Sequence, residues 1–420
     1  MSSTSARRSP AGPDWSSPMS SPNSRRPAVL DGTRVLDLTH VLAGPFASYQ
    51  LAVLGADVIK IEAPDEPDQA RFQGSDPQLS DAGLGTAFLA QAANKRCLTL
   101  NLKSEAGRRV LRELVQTADV LIENYRPGAM DSLGLGYEAL SRLNPALVYC
   151  SVSAFGSTGP KRELTAYDGV IQAYSGIMAM TGEPGTAAIK CGAPVVDYAT
   201  GTTAAAAILA ALLHRKGSGL GQHVEVAMSD VAAILCSSHL TGYLWNGAHP
   251  EQKGNRYPFA TIGCYQASDG PLMISASNLR QQARLWHALN RSDMVKADNP
   301  SRIRAHAEEA EALGRIIATQ TVDHWEHLLQ AARVPVSRVQ RMEAMLADAH
   351  FQGRGTLHRF EESAGPLKGL TVPVAGFRLS SCVTGVSAPP QRAGAQSRAI
   401  LRGLGYGEAD IDSLEADGVV

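Results

Sequence analysis

Arg34-Val-Leu-Asp-Leu38, Ala43-Gly-Pro45, Phe46–Leu54 and Asp57-Val-Ile-Lys-Ile-Glu62 follow one another in the chain, and their reading decides the fold. The first and last are short apolar-rich runs of strand length. Between them Phe46–Leu54 has helical spacing, Ala43-Gly44-Pro45 punctuates its start and Gly55 ends it. Strand, helix, strand is a βαβ unit, and such crossovers build parallel sheets.

The pattern recurs outward from this unit. Cys97–Leu102 reads as a strand, Ser104–Thr117 as a helix and Asp119–Glu123 as a strand. Glu138–Leu143 reads as a short helix, Ala146–Ser153 and Gln222–Met228 as strands, and Asp230–Trp245 as a helix. The expected class is α/β, with a large Rossmann-like domain built on an open parallel sheet. Composition shifts after Gly247. Asn255–Gly263 reads as irregular, Leu272–Ala276 as a strand, and Leu279–Leu289, Ser301–Ala318 and Val322–Ala332 as helices. A strand-like Leu370–Phe377 and a helix Ala395–Leu404 close the chain. The expected division is a disordered tail over 1–27, a large domain over 28–247, a smaller α/β domain over 248–355, and a segment over 356–420 that returns to the large domain.

Composition narrows the function. The 420 residues are 44% hydrophobic and 19% charged, with a net charge of −1. Acidic and basic residues are interspersed, so nothing points to a nucleic-acid partner. No window holds about 18 uninterrupted apolar residues, so no membrane span is expected. Six scattered cysteines form no Cys-x-x-Cys, which argues against zinc and fits a reducing, cytoplasmic setting. The turn Thr39–Pro45 holds one glycine, which disfavours a dinucleotide site of the Gly-x-Gly-x-x-Gly kind. There is no Walker motif and no Gly-x-Ser-x-Gly elbow.

What remains is a carboxylate. In Cys191-Gly-Ala-Pro-Val-Val-Asp-Tyr-Ala-Thr-Gly-Thr-Thr-Ala204, Asp197 ends an apolar stretch and opens a small-residue helix, Thr200–Arg215. It either caps that helix or sits at the mouth of the sheet as a reactive group. Asp is a legitimate covalent nucleophile. Tyr167-Asp168 offers a second carboxylate with the same capping alternative. Glu123–Gly128 lies after a strand, where ligands of open sheets bind, and Asn94-Lys95-Arg96 places two cations before one.

Taken together, Val35–Pro45, Leu54–Glu62, Asn94–Arg96, Leu100–Lys103, Asp119–Gly128, Ser153–Pro160, Ala166–Asp168, Gly217–Gln222 and the Asp197 segment resemble the family III CoA-transferases. That group includes formyl-CoA transferase, carnitine CoA-transferase and α-methylacyl-CoA racemase. The resemblance implies that Asp197 is a nucleophile that forms an acyl–aspartyl anhydride and then an aspartyl-CoA thioester. It implies that Tyr167 and Leu42 line the substrate pocket, and that His40, Val41 and Ala43 follow the pantetheine and adenine. Leu100 and Lys103 would lie by the nucleotide, and Asn124, Tyr125 and Arg126 by the thiol-proximal arm and phosphates. Ser132 stands where formyl-CoA transferase has a basic residue, so Lys95, Arg96 or Arg126 is expected to compensate. Gly254–Gly263 replaces that enzyme's glycine-rich shielding loop, which disfavours oxalate and formyl-CoA as substrates.

The racemase branch carries a His where this chain has Tyr167, and an unperturbed tyrosine, with a pKa of about 10, is a poor acid–base partner near neutrality. Transfer of CoA from an acyl-CoA, with succinyl-CoA a candidate donor, to a small carboxylic acid is therefore expected ahead of racemisation or non-catalytic CoA binding. Arg71, Arg256 and Arg280 are candidates to pair with a second carboxylate of the acceptor. The resemblance also implies two chains threaded as interlocked rings in a homodimer, no metal, and CoA as substrate rather than a tightly bound cofactor.

Overall fold

Six strands supply the frame: β1 (Arg34–Leu38), β2 (Asp57–Glu62), β3 (Lys95–Thr99), β4 (Val120–Glu123), β5 (Val148–Ser153) and β6 (His223–Ala227). In the computed structural model, which describes residues 27–361 and 365–420, they form one sheet in the order β3-β2-β1-β4-β5-β6. The expected tail lies, but for its last residue, outside the described residues. Every pairing in the sheet is parallel. The chain runs outward from β1 to β3 and then returns to the other side of β1, so strand order reverses between β1 and β4. A crevice opens at such a switch point, beyond the carboxyl ends of the strands.

Successive side chains of a strand point to opposite faces, and both faces are buried. Val35, Val58, Val120, Ile122 and Val148 pack on one face with Ala47, Leu51, Ala204 and Ile208. Leu36, Leu38, Ile59, Leu98 and Leu121 pack on the other with Val110, Leu111, Leu114, Ile400 and Leu401. This explains why the strands read as apolar runs rather than strict alternations.

Helix boundaries differ from the sequence reading for local reasons. The first helix spans Ala43–Val53, so Ala43-Gly44-Pro45 forms its first turn. Proline fits there because those N–H groups have no partner within the helix. Ser104 lies outside the Glu105–Val115 helix as its cap, accepting from the Gly107 N–H at 3.0 Å. The small-residue helix runs from Val195 to Ser218. Gly219, with φ +72°, ends it in the left-handed conformation that glycine tolerates, and Arg215 in its last turn donates to Asp119 Oδ1 at 2.7 Å. This helix is long and apolar enough to cross a bilayer by length and composition. Its buried residues, Ala204, Ile208 and Ala211 among them, lie in the core beside the sheet.

The chain folds as two compact units. The first comprises the described residues up to Ser175 with Gly192–Leu240 and His350–Val420. The second comprises Gly176–Cys191 and Thr241–Ala349. It holds an antiparallel sheet in which Pro271–Ser275 pairs with Ile262–Gln266 on one side and Val336–Arg338 on the other. Trp286, Leu313, Trp325 and Leu329 fill its core. Asn278 closes a capping box on the Leu279–Ala288 helix. The expected helix Ser301–Ala318 is two helices, Asn299–Arg304 and His306–Ile317. The irregular reading of Asn255–Gly263 ends in a strand that begins at Ile262.

Candidate active site

Loops leaving the carboxyl ends of the strands enclose a cavity of about 660 Å³ in the first unit. His40, Val41, Leu42 and Ala43 reach it from β1, and Leu100 and Lys103 from β3. Asn124, Tyr125 and Arg126 reach it from β4, with Tyr167 and Asp197 completing the wall. Lys103 and Arg126 are exposed at its rim. The two loops at the switch point are tied together. The His40 N–H donates to Asn124 Oδ1 at 2.8 Å, and Asn124 Nδ2 donates to the His40 carbonyl at 2.9 Å. The His40 ring meets Tyr125 edge-on at 5.5 Å. Burial, with Lys60 nearby, depresses the His40 pKa and favours its neutral imidazole.

Asp197 sits in the first turn of the Val195–Ser218 helix and is only 9% exposed. Burial, reinforced by the nearby Asp168 carboxylate, pushes its pKa up to about 7. Of its two sequence-level roles, the cap falls to another residue. Pro194 stands at the cap position with no side-chain bond, and Asp168 Oδ2 accepts from the N–H groups of Val196 at 2.8 Å and Asp197 at 3.2 Å. The capping carboxylate therefore comes from a different helix, Asp168–Tyr174. Gly201, one turn on, lets this helix approach the start of the first helix. A Cβ there would stand 2.5 Å from the Ala43 carbonyl oxygen. Tyr167 is 62% exposed, and its hydroxyl accepts from Gln69 Nε2 at 3.3 Å.

Beneath the β1 loop lies a buried charged layer. Lys95 donates to Asp37 Oδ2 at 2.9 Å, and Ser48 Oγ to the same oxygen at 2.6 Å. Lys60 donates to the Thr39 carbonyl at 2.6 Å and pairs with Asp68 at 3.1 Å. Burial penalises the Lys60 charge, but Asp68, Asp37 and Glu62 outweigh it and hold the ammonium above its usual range. Asp68 Oδ1 in turn accepts from the Val41 N–H at 2.9 Å, and Gln91 Nε2 donates to the Val41 carbonyl at 2.8 Å. Val41 has φ +72°, a costly conformation for a β-branched residue, and these two bonds hold it.

Five expected cations stand elsewhere. Arg96 does not line the cavity. It lies near the amino end of β3 and grips Asp57 through Nε at 2.9 Å and Nη2 at 2.6 Å. Lys95, its neighbour, is spent within the buried layer. Arg71 is 1% exposed and pairs with Glu62 at 2.7 and 2.6 Å, so it is closed to an acceptor carboxylate. Arg256, in the second unit, pairs with Glu183 at 3.2 Å. Arg280 lines a separate cavity of that unit with Arg284 and Asn278.

The family model for CoA-transferase family III matches residues 30–395 of this chain. The chain belongs to CoA-transferase family III. Like it is a succinate–glutarate CoA-transferase of Agrobacterium fabrum, 36% identical over 84% of this chain and 90% of that protein. The succinyl-CoA:glutarate CoA-transferase of Mus musculus is 32% identical over 96% of this chain and 92% of its own. A CAIB/BAIF family protein from Brucella suis shares the fold, with a TM-score of 0.79 and 31% identity over 90% of this chain and all of that one.

In this family III chain the site residues that follow strands are marked by their place in the sequence, whereas Asp68, Gln91 and Gly201, which shape the site from beneath, carry no such mark. A signal for the buried layer exists in Asp37, Lys60 and Glu62, charged residues within strands that are otherwise apolar. Such charges are tolerated in a core only when paired.

Proposed function

We propose that this enzyme transfers CoA from succinyl-CoA to a free carboxylic acid, with Asp197 as nucleophile. The observation that carries this reading is a nearly buried carboxylate, with raised proton affinity, in the first turn of a helix that opens onto the cavity. The names of the two relatives support succinyl-CoA as donor and a dicarboxylic acid such as glutarate as acceptor.

The chemistry runs in four steps. The ionised Asp197 attacks the thioester carbonyl, and CoA thiolate leaves a mixed succinyl–aspartyl anhydride. The thiolate attacks the aspartyl carbonyl of that anhydride, succinate leaves, and an aspartyl-CoA thioester remains. The acceptor carboxylate then attacks this thioester and expels thiolate. The thiolate finally takes the acceptor's acyl group and frees Asp197. A thioester is made for each one broken, so the enzyme's task is to lower barriers and keep out water. Lys103 and Arg126, exposed at the rim, suit the phosphates of CoA.

In this reading CoA is a substrate and no tightly bound cofactor is needed. The protein acts as a cytoplasmic homodimer without nucleic-acid or membrane partners. The test is product analysis with succinyl-CoA and a panel of carboxylic acids. New CoA esters should form, and Asp197→Asn should lower the rate by at least about 10⁴-fold, the scale of nucleophile removal. Full activity in Asp197→Asn, or α-proton exchange of an acyl-CoA without an acceptor, would overturn the reading.

A further inference from the structure

We propose that Asp168 is the positioning residue for the nucleophile. Its carboxylate closes the start of the helix that carries Asp197 and so fixes where the Asp197 side chain points. This rests on the reading of Asp197 as nucleophile.

The helix lacks a cap of its own. Pro194 has no side-chain acceptor, yet two first-turn N–H groups, those of Val196 and Asp197, are satisfied by a single oxygen of Asp168. That acceptor is itself fixed. Asp168 is 7% exposed, and its other oxygen receives Gln172 Nε2, whose residue is fully buried. Asp168 also opens its own helix, Asp168–Tyr174. One carboxylate therefore locks two helix starts against each other, with the nucleophile's own backbone in the joint.

The same group acts through its charge. An anion at a helix N-terminus is stabilised there. Beside Asp197 that anion opposes a second negative charge, which leaves the Asp197 carboxylate more basic. A more basic carboxylate is a stronger nucleophile once ionised. Among the described residues, the other ionisable group that bears on Asp197 is Tyr198, its neighbour on the same helix, which supplies no positive charge.

Two substitutions in the full chain separate position from charge. Asp168→Asn keeps an oxygen acceptor and removes the charge. Asp168→Ala removes both. Both are assayed with succinyl-CoA and glutarate, beside Asp197→Asn, with unfolding followed by circular dichroism. Asp168→Asn should lower the plateau kcat severalfold, since a less basic carboxylate is a weaker nucleophile, and move the acid limb of kcat/KM down by about one pH unit. Asp168→Ala should lower kcat by about a hundredfold, the scale of loss when a reacting group shifts by about an ångström, with KM for succinyl-CoA little changed.

A purely structural Asp168 would lower the yield of folded enzyme without moving the acid limb, and that result overturns the proposal. So does wild-type kcat in Asp168→Ala while Asp197→Asn is inactive. Full activity of Asp197→Asn overturns the nucleophile reading instead, and the positioning role with it.

Discussion

Asn124 and His40 hold each other by two reciprocal hydrogen bonds, the His40 N–H to Asn124 Oδ1 at 2.8 Å and Asn124 Nδ2 to the His40 carbonyl at 2.9 Å. The pair bridges the loops after β1 and β4, where the strand order reverses. Asn124→Ala leaves both backbone groups of His40 without these partners. We expect a stability loss of about 1–3 kcal/mol by urea unfolding, since each orphaned group carries a desolvation cost. KM for acyl-CoA should rise as the loop carrying Val41 and Leu42 loosens. Unchanged KM would show that the pair only braces the fold.

The pH profile follows from Asp197. A carboxylate must be ionised to attack, and this one has its pKa raised to about 7. We expect kcat/KM to climb through pH 7 rather than level off near pH 5. The stability effect has the opposite sense. A carboxyl group with a folded-state pKa above its usual 3.8 favours the fold when protonated. Its contribution is present below that value and is lost as pH rises through 7. Asp197→Asn should therefore melt higher than wild type at pH 8 and not at pH 4, as differential scanning fluorimetry would show.

Arg96 and Arg126 separate cavity from surface. Arg96→Ala should leave KM for acyl-CoA unchanged, with a stability effect of about 1 kcal/mol or less, because its pair with Asp57 is partly exposed. Arg126→Ala should raise KM, and added salt should weaken acyl-CoA binding by wild type but less by the variant. Equal KM effects from the two substitutions would contradict this division.

Arg71 gives a sharper case. It is fully buried against Glu62. Removing one partner of a buried pair leaves an uncompensated charge and costs about 3–5 kcal/mol. Arg71→Met should therefore lower the melting temperature at neutral pH, and the acceptor preference of the folded fraction should stay as in wild type. A changed acceptor preference with unchanged stability would return Arg71 to the site.

Much of this arrangement is legible in the sequence, and the reasons are physical. Arg34–Leu38 and Asp57–Glu62 are bounded by turn residues, and helices cover both their faces, so their apolar runs stand out to the residue. His40, Leu100 and Asn124 each follow a strand, and in a parallel sheet chain order alone carries such residues to one edge. Ile262–Gln266 is hidden because Gly263 and Gln266 break its apolar pattern. Arg96 misleads because it adjoins Lys95. Neighbours on a strand point to opposite faces, and both lie near the amino end, away from the cavity. The bond from Asp168 to the Asp197 N–H has no signature at all. It joins a side chain to backbone 29 residues along, and only the packed helices bring the two together.

The most direct test of the central claim is peptide-resolved mass spectrometry after incubation with succinyl-CoA and hydroxylamine, wild type beside Asp197→Asn. Hydroxylamine attacks an aspartyl thioester or anhydride and leaves a hydroxamate on the enzyme. The account predicts that modification on the peptide containing Asp197 in wild type, and none in the variant. A hydroxamate on another carboxylate, or turnover with no adduct at Asp197, would contradict it.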